Sequence, residues 1–258
     1  MNALADWIAA LPALGALALA AWVVATARRN VGLVDIAWPL FLVLAAVVFA
    51  LRAPEIALRG GILLALVALW AVRLAAYLAG RNWNAPEDRR YAAIRARNEP
   101  GFAWKSLYLV FGLQALLAWL ISAPLVVAIP APGALGALGV LGAVVAGFGI
   151  VFESVADWQL ARFKAEPDNV ARVMDRGLWR LTRHPNYFGE FCAWWGFYLV
   201  AADAGGWWTI FSPALMSLLL LRISGVALLE RDIGDRRPGY AAYASRTNAF
   251  FPGPPREA

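Results

Sequence analysis

Histidine and cysteine are almost missing from this sequence: His184 and Cys192 are the single examples in 258 residues. A zinc centre built from several His or Cys ligands is thereby excluded, and so is a disulfide framework. Charge is scarce too, at 16% of residues, where soluble domains carry about 25%. There is no GxGxxG turn following a strand, no phosphate-binding Walker loop, no GxSxG elbow and no Ser/His/Asp set. A nucleotide would have to be held outside the usual soluble folds. What is abundant is apolar: 62% of residues are hydrophobic, 13 are Trp, and the mean hydropathy is +0.61. Such a chain has too much to bury to remain disordered, and its composition is that of an integral membrane protein. The formal charge of +6 suits a cytoplasmic leaflet or a phosphorylated ligand, with nothing to suggest nucleic acid.

A helix needs about 20 apolar residues to cross a bilayer core, and seven runs of roughly that length lie between the charge clusters. They extend from Leu4 to Thr26, Leu33 to Leu51, Ala57 to Gly80, Trp104 to Ile129, Gly133 to Asp157, Asn186 to Ala202 and Trp207 to Leu229. The expected fold is therefore an all-α, seven-helix membrane protein forming one polytopic domain. The first run has Asp6 and no basic residue before it, so it is read as a retained helix rather than a signal peptide. Nearly all the Lys and Arg fall in the loops after runs one, three and five and in the tail, whereas the opposite loops hold only Arg52 and Arg59. Cytoplasmic loops keep the positive charge, which places the N-terminus outside and the C-terminus in the cytoplasm. The rhythm GALGALGVLGAVVAGFG in the fifth run is read as close helix packing by small residues, and Cys192 as core.

Ionisable residues inside a span are costly and tend to face a bundle interior. Here they gather at the cytoplasmic ends. Glu153 and Asp157 are four apart and share a helical face, as do Arg73 and Tyr77, with Trp70 a turn earlier, and Asn186 and Glu190. Asp35 stands at the entrance of the second run, in VDIAW with Trp38. Each taken singly reads equally as an interhelical pair or a snorkelling group; taken together they outline a buried polar site.

Two inner segments could complete it. RNWNAPEDRRYAAIRAR, with Asn82 at its start, turns Tyr91 and Ile94 one way and arginines the other, which alone describes a helix on anionic lipid. ARFKAEPDNVARVMDRGLWRLTRHPNYFGEF combines Lys164, Arg172, Arg176 and Arg183 with a helix start at Pro185. Pro suits the first helical turn and leaves its N–H groups open to an anion. Arg forks bind phosphate oxygens in pairs, so a diphosphate between this segment and the tail RRPGYAAYASRTNAFFP is a natural reading. His184 beside that proline is read as a hydrogen-bonding or positioning group before a catalytic base.

RGLWRLTRHPNYFGEFCAWWGFYL, the tail that follows it, VDIAW and RNWNAPEDRRY together resemble the steroid 5α-reductase family in its bacterial branch, most strongly over residues 150–252. The resemblance implies seven membrane helices, a bacterial inner-membrane location, NADPH bound on the cytoplasmic side, and reduction of the carbon–carbon double bond of 3-oxo-Δ4 steroids or similar enone lipids drawn from the bilayer. No obligatory protein partner is evident in the sequence. By position it implies that Asn186 and Glu190 hold the nicotinamide part, that Asp157 and Arg172 contact the cofactor, and that Glu153 falls where the family often has Asn. The cofactor set expected on this basis also includes Asn82, Lys164, Arg176, Arg183, His184, Tyr187, Arg231, Arg237, Tyr240, Tyr243 and Arg246. Asp35 is the candidate carboxylate near the substrate carbonyl, where the family usually has Glu. Aligning on Arg73 puts Trp70 where eukaryotic enzymes place a catalytic Tyr, with Tyr77 a turn away, so Asp35, Tyr77 and Glu190 are the expected catalytic groups and Trp38, Trp70 and Arg73 line the lipid. RHPNYFGE also resembles the RHPxYxG element of isoprenylcysteine carboxyl methyltransferases, which use S-adenosylmethionine. That donor carries a sulfonium cation and no phosphate, and the many inner arginines favour the phosphorylated cofactor.

Overall fold

The structure is a computed structural model that describes residues 2–223, 226, 230 and 237–256. Among the described residues it is wholly helical, with no strand. The helices are α1 (Ala3–Ile8), α2 (Leu11–Ala27), α3 (Val34–Arg52), α4 (Leu58–Asn82), α5 (Arg89–Asn98), α6 (Phe102–Ser106), α7 (Leu113–Ile121), α8 (Ala123–Ala128), α9 (Ala137–Ala165), α10 (Pro185–Asp203), α11 (Phe211–Leu218) and α12 (Tyr240–Arg246). A π-helical turn, Leu107–Gly112, joins α6 to α7.

Among the described residues five helical stretches are long and apolar enough to cross a membrane: Ala3–Ala27, Val31–Arg52, Leu58–Asn82, Phe102–Ile121 and Ala137–Ala165. They match the first five apolar runs of the sequence. The sixth run forms α10, whose hydropathy is lowered by Asn186, Glu190 and Asp203, and the described part of the seventh is the shorter apolar helix Trp207–Ile223. The chain is thus a multi-pass membrane protein by these helices. It divides into two compact units, Met1–Val140 with Val200–Ser212, and Leu141–Leu199 with Pro213–Ala258.

In the first unit the chain alternates between two ends. At one end Arg52 donates to Asp6 at 2.7 Å, and Trp7 and Trp119 stack at 4.3 Å while each indole N–H donates to the other's carbonyl. At that same end Arg59, only 8% exposed, donates to the carbonyls of Pro132 and Ala134 and to Asp203. These contacts gather residues 6–7, 52–59, 119–136 and 203. At the other end Arg28 donates to the Trp83 carbonyl and lies 4.4 Å from the Trp83 ring centroid. Asn30 caps the short 3-10 turn Val31–Leu33 and donates to the carbonyl of Ala85. Glu87 accepts from the Val31 N–H and from both arms of Arg95. The loops after the first and third apolar runs, grouped on one side by their arginines, are therefore strapped to each other.

In the second unit α9 and α10 meet backbone to backbone. A Cβ on Gly189 would lie 2.6 Å from the Glu153 nitrogen, one on Gly149 2.5 Å from the Gly189 carbonyl oxygen, and one on Gly196 2.4 Å from the Ala146 nitrogen. Only glycine permits so close an approach, and the small-residue pattern of the fifth run has this packing role at Gly149.

Candidate functional site

That glycine contact sets the polar residues of α9 and α10 side by side. Glu153, Asp157 and Glu190 are 2%, 4% and 7% exposed, and the Asn186 amide donates to Asp157 at 3.3 Å. Three buried carboxylates and an amide thus come from two i, i+4 pairs on facing helices, the pairs singled out in the sequence. Pro185 begins α10, and the rings of His184 and Tyr187 stack at 5.7 Å over its first turn.

The preceding segment is fixed to α9 by its glycine turn. Gly177 has φ +57°, and a Cβ there would strike the Gln159 amide at 2.5 Å; instead Gln159 accepts from the Leu178 N–H, and Trp179 donates to the Ala156 carbonyl. The tail runs alongside. Arg183 N–H donates to the Asn248 carbonyl, Gly253 N–H to that of Leu181, and the Thr182 hydroxyl to that of Phe250. Tyr243, on α12, donates to the Trp179 carbonyl at 2.5 Å.

Several residues expected to face a cofactor are engaged in this stitching. Arg183 uses Nε and Nη2 on the two oxygens of Glu230 and Nη1 on the Ala244 carbonyl. His184 Nε2 lies 2.9 Å from the same carboxylate. Burial acts to raise the Glu230 carboxyl, but the His184 hydrogen bond and the Arg183 charge outweigh it and hold the group below the usual range. Tyr240 bonds to Glu230, and burial, then that charge, push its hydroxyl up; burial does the same at Tyr243. Arg246 pairs with Asp175 at 2.8 Å on the surface. Lys164, Arg172 and Arg176 are exposed, Arg237 is half-buried, and Arg231 lies outside the described residues.

In the first unit Asp35 is the centre of a second cluster. Its Oδ1 accepts from the Tyr91 hydroxyl at 2.5 Å and its Oδ2 from Arg90 at 3.1 Å. Asp88 caps α5 and also receives the Arg90 Nε, so Arg90 bridges two carboxylates. Their charges outweigh burial and keep it a cation, whereas burial and then the Asp35 charge push the Tyr91 hydroxyl well above its usual range. Behind Tyr91 the Gln114 amide nitrogen approaches its hydroxyl at 3.4 Å, and Gln114 Oε1 is buried with no hydrogen-bond donor among the described residues. A buried acceptor left without a donor costs about 1–3 kcal/mol. Trp70 is fully buried, and Trp38, Arg73 and Tyr77 are half-buried; the Arg81 guanidinium lies 5.6 Å from the Tyr77 ring and donates to Asn82.

The groups missed in the sequence are Glu230, the pairing of Arg90 and Tyr91 with Asp35, and Gln114. A signal existed for Gln114: between Lys105 and Ile129 it is the one amide, with no charged side chain, in an apolar run.

The chain belongs to the family described as "Protein of unknown function (DUF1295)", whose family model matches residues 21–247. That family is related to steroid 5α-reductase-like membrane proteins. The chain is also similar to the uncharacterized protein C594.04c of Schizosaccharomyces pombe, 34% identical over 95 residues, which is 35% of this chain and 27% of that relative. The match therefore spans about a quarter of the relative's own length. No solved structure matches the chain.

Proposed function

We propose that this protein is an NADPH-dependent reductase of enone lipids, a seven-span enzyme of the bacterial inner membrane with its cofactor on the cytoplasmic side. The observation that carries the reading is the α9/α10 cluster, Glu153, Asp157, Asn186 and Glu190, beside a segment bearing the exposed cations Lys164, Arg172 and Arg176. The donor set fits the cofactor. Carboxylates accept from ribose hydroxyls and from the carboxamide N–H groups, the Asn186 amide offers both a donor and an acceptor, and solvent-facing Arg and Lys match phosphate oxygens. Arg183, His184, Tyr240 and Tyr243 support the reading differently from the expectation, as the frame that holds the RHPN turn and the start of α10 in place.

NADPH, when bound, supplies a hydride for the β carbon of the enone. The chain's own residues have to orient the lipid and stabilise the charge that develops on its oxygen. Asp35, which accepts from Arg90 and Tyr91, is the carboxyl proposed beside the substrate carbonyl. Tyr77, half-buried on α4 with the Arg81 cation near its ring, is the neutral donor proposed for the carbonyl, with Trp38, Trp70 and Arg73 on the lipid.

A second reading has one observation in its favour. Three buried carboxylates would suit the sulfonium of S-adenosylmethionine, and RHPNYFGE is shared with membrane methyltransferases. Thermal unfolding of the detergent-purified protein with NADPH, NADH or S-adenosylmethionine separates the two, because a ligand that binds only the native state stabilises it by mass action. Stabilisation by NADPH, lost in Asn186→Ala, is the expected result; a shift with S-adenosylmethionine alone would replace the reductase by the methyltransferase.

A further inference from the structure

Gln114 lies in the apolar stretch Phe102–Ile121, two residues after the π-helical turn Leu107–Gly112. Such turns shift the register of a membrane helix and recur at functional sites. Its neighbours Leu113, Ala115 and Leu116 are apolar, so its amide interrupts a surface that otherwise needs no polar partner. The direction of the hydrogen bonds fixes what the amide offers. A tyrosine hydroxyl has a single proton, and that of Tyr91 is directed to Asp35, whose other oxygen accepts from Arg90. Gln114 must therefore turn its N–H side to Tyr91, at 3.4 Å, and its carbonyl away. The relay runs from Gln114 through Tyr91 to Asp35 and begins at a buried oxygen, Gln114 Oε1, that has no donor among the described residues.

We infer that Gln114 Oε1 is the recognition point for a hydroxyl group on a lipid bound among the helices of the first unit, so that the lipid carries an alcohol in addition to the group that reacts. A ketone offers only an acceptor and would face the Gln114 oxygen with a second oxygen; a hydroxyl supplies the missing proton and can accept from the remaining amide N–H. Rigid placement follows from the relay, since Asp35 and Arg90 hold Tyr91 and Tyr91 holds the amide. The inference rests on the lipid-binding reading of this unit but needs neither the cofactor nor turnover.

The test uses two enone steroids that differ only by hydroxyl against ketone at the end far from the enone, testosterone and androstenedione. Binding of each to the full chain in detergent is measured by titration without NADPH, in the wild type, Gln114→Met and Gln114→Glu. The expected result is a preference of about tenfold for testosterone, abolished in Gln114→Met and retained in Gln114→Glu, which keeps an acceptor while losing the N–H that approaches Tyr91. A merely structural role for the amide would treat the two variants alike, since both lose the bond to Tyr91. Equal affinities, or a preference for the ketone, overturn the inference and leave the enone-lipid reading standing. Binding of neither steroid to the wild type overturns both.

Discussion

Two carboxylates in this molecule are held in the same way and left in different states. Asp35 in the first unit and Glu230 in the second are each gripped by an arginine and the ring residue that follows it in sequence, Arg90 with Tyr91 and Arg183 with His184. Around Glu230 the set closes on itself: Arg183 has Nε, Nη1 and Nη2 engaged, and Tyr240 completes the carboxylate's partners. Around Asp35 the set stays open, ending at the unmatched oxygen of Gln114. A closed network acts as a clamp, and its worth is measured in stability. An open one retains capacity to recognise something, and its worth is measured in binding.

The largest effect should come from breaking the clamp. Glu230→Ala leaves Arg183 without its counter-charge and His184 without its hydrogen-bond partner and is expected to destabilise the protein by about 2 kcal/mol, less than for a fully buried pair because the carboxylate is partly solvated. The unfolding midpoint in detergent reports it. NADPH should still stabilise the variant, because the carboxylates and amide of α9 and α10 are untouched; loss of NADPH binding at full stability would place Glu230 on the ligand and end the distinction between clamp and site.

Tyr91→Phe probes the open cluster and should cost less, about 1 kcal/mol, since Asp35 keeps Arg90 and the ring keeps its packing. Its greater effect is expected on lipid affinity, through the Gln114 amide it no longer holds. A variant that lost several kcal/mol with unchanged lipid binding would make the Asp35 cluster a second clamp.

The contrast also separates what the sequence reveals from what it conceals. The spans are legible because a bilayer demands long apolar runs, and the two ends of the first unit because arginines mark one of them. The α9/α10 cluster is legible because i, i+4 spacing is local: Glu153 with Asp157, and Asn186 with Glu190. Both clamp and relay depend on partners 47 and 56 residues apart, Arg183 with Glu230 and Tyr91 with Asp35, and no local period carries that information. Tyr91 therefore reads from sequence as the apolar face of a surface helix, and Arg183 as a phosphate ligand, although its fork is engaged by a carboxylate within the chain.

The smallest expected effect tests the clamp by titration. The Glu230 carboxyl is held below the ordinary 4.5 because the His184 hydrogen bond and the Arg183 charge outweigh the burial that opposes them. A carboxyl depressed in the folded state adds stability above its unfolded pKa, and that contribution fades as pH falls through the folded value. The unfolding midpoint of the wild type should therefore exceed that of Glu230→Gln by a constant margin above pH 4.5 and converge with it below. Tyr91→Phe removes no group that titrates in that range, so its margin should not follow the Glu230 profile. A gap for Glu230→Gln that persisted unchanged at the acid end would mean that shape, not charge, holds Arg183 and His184, and the clamp would then owe its stability to packing of the tail against residues 181–183.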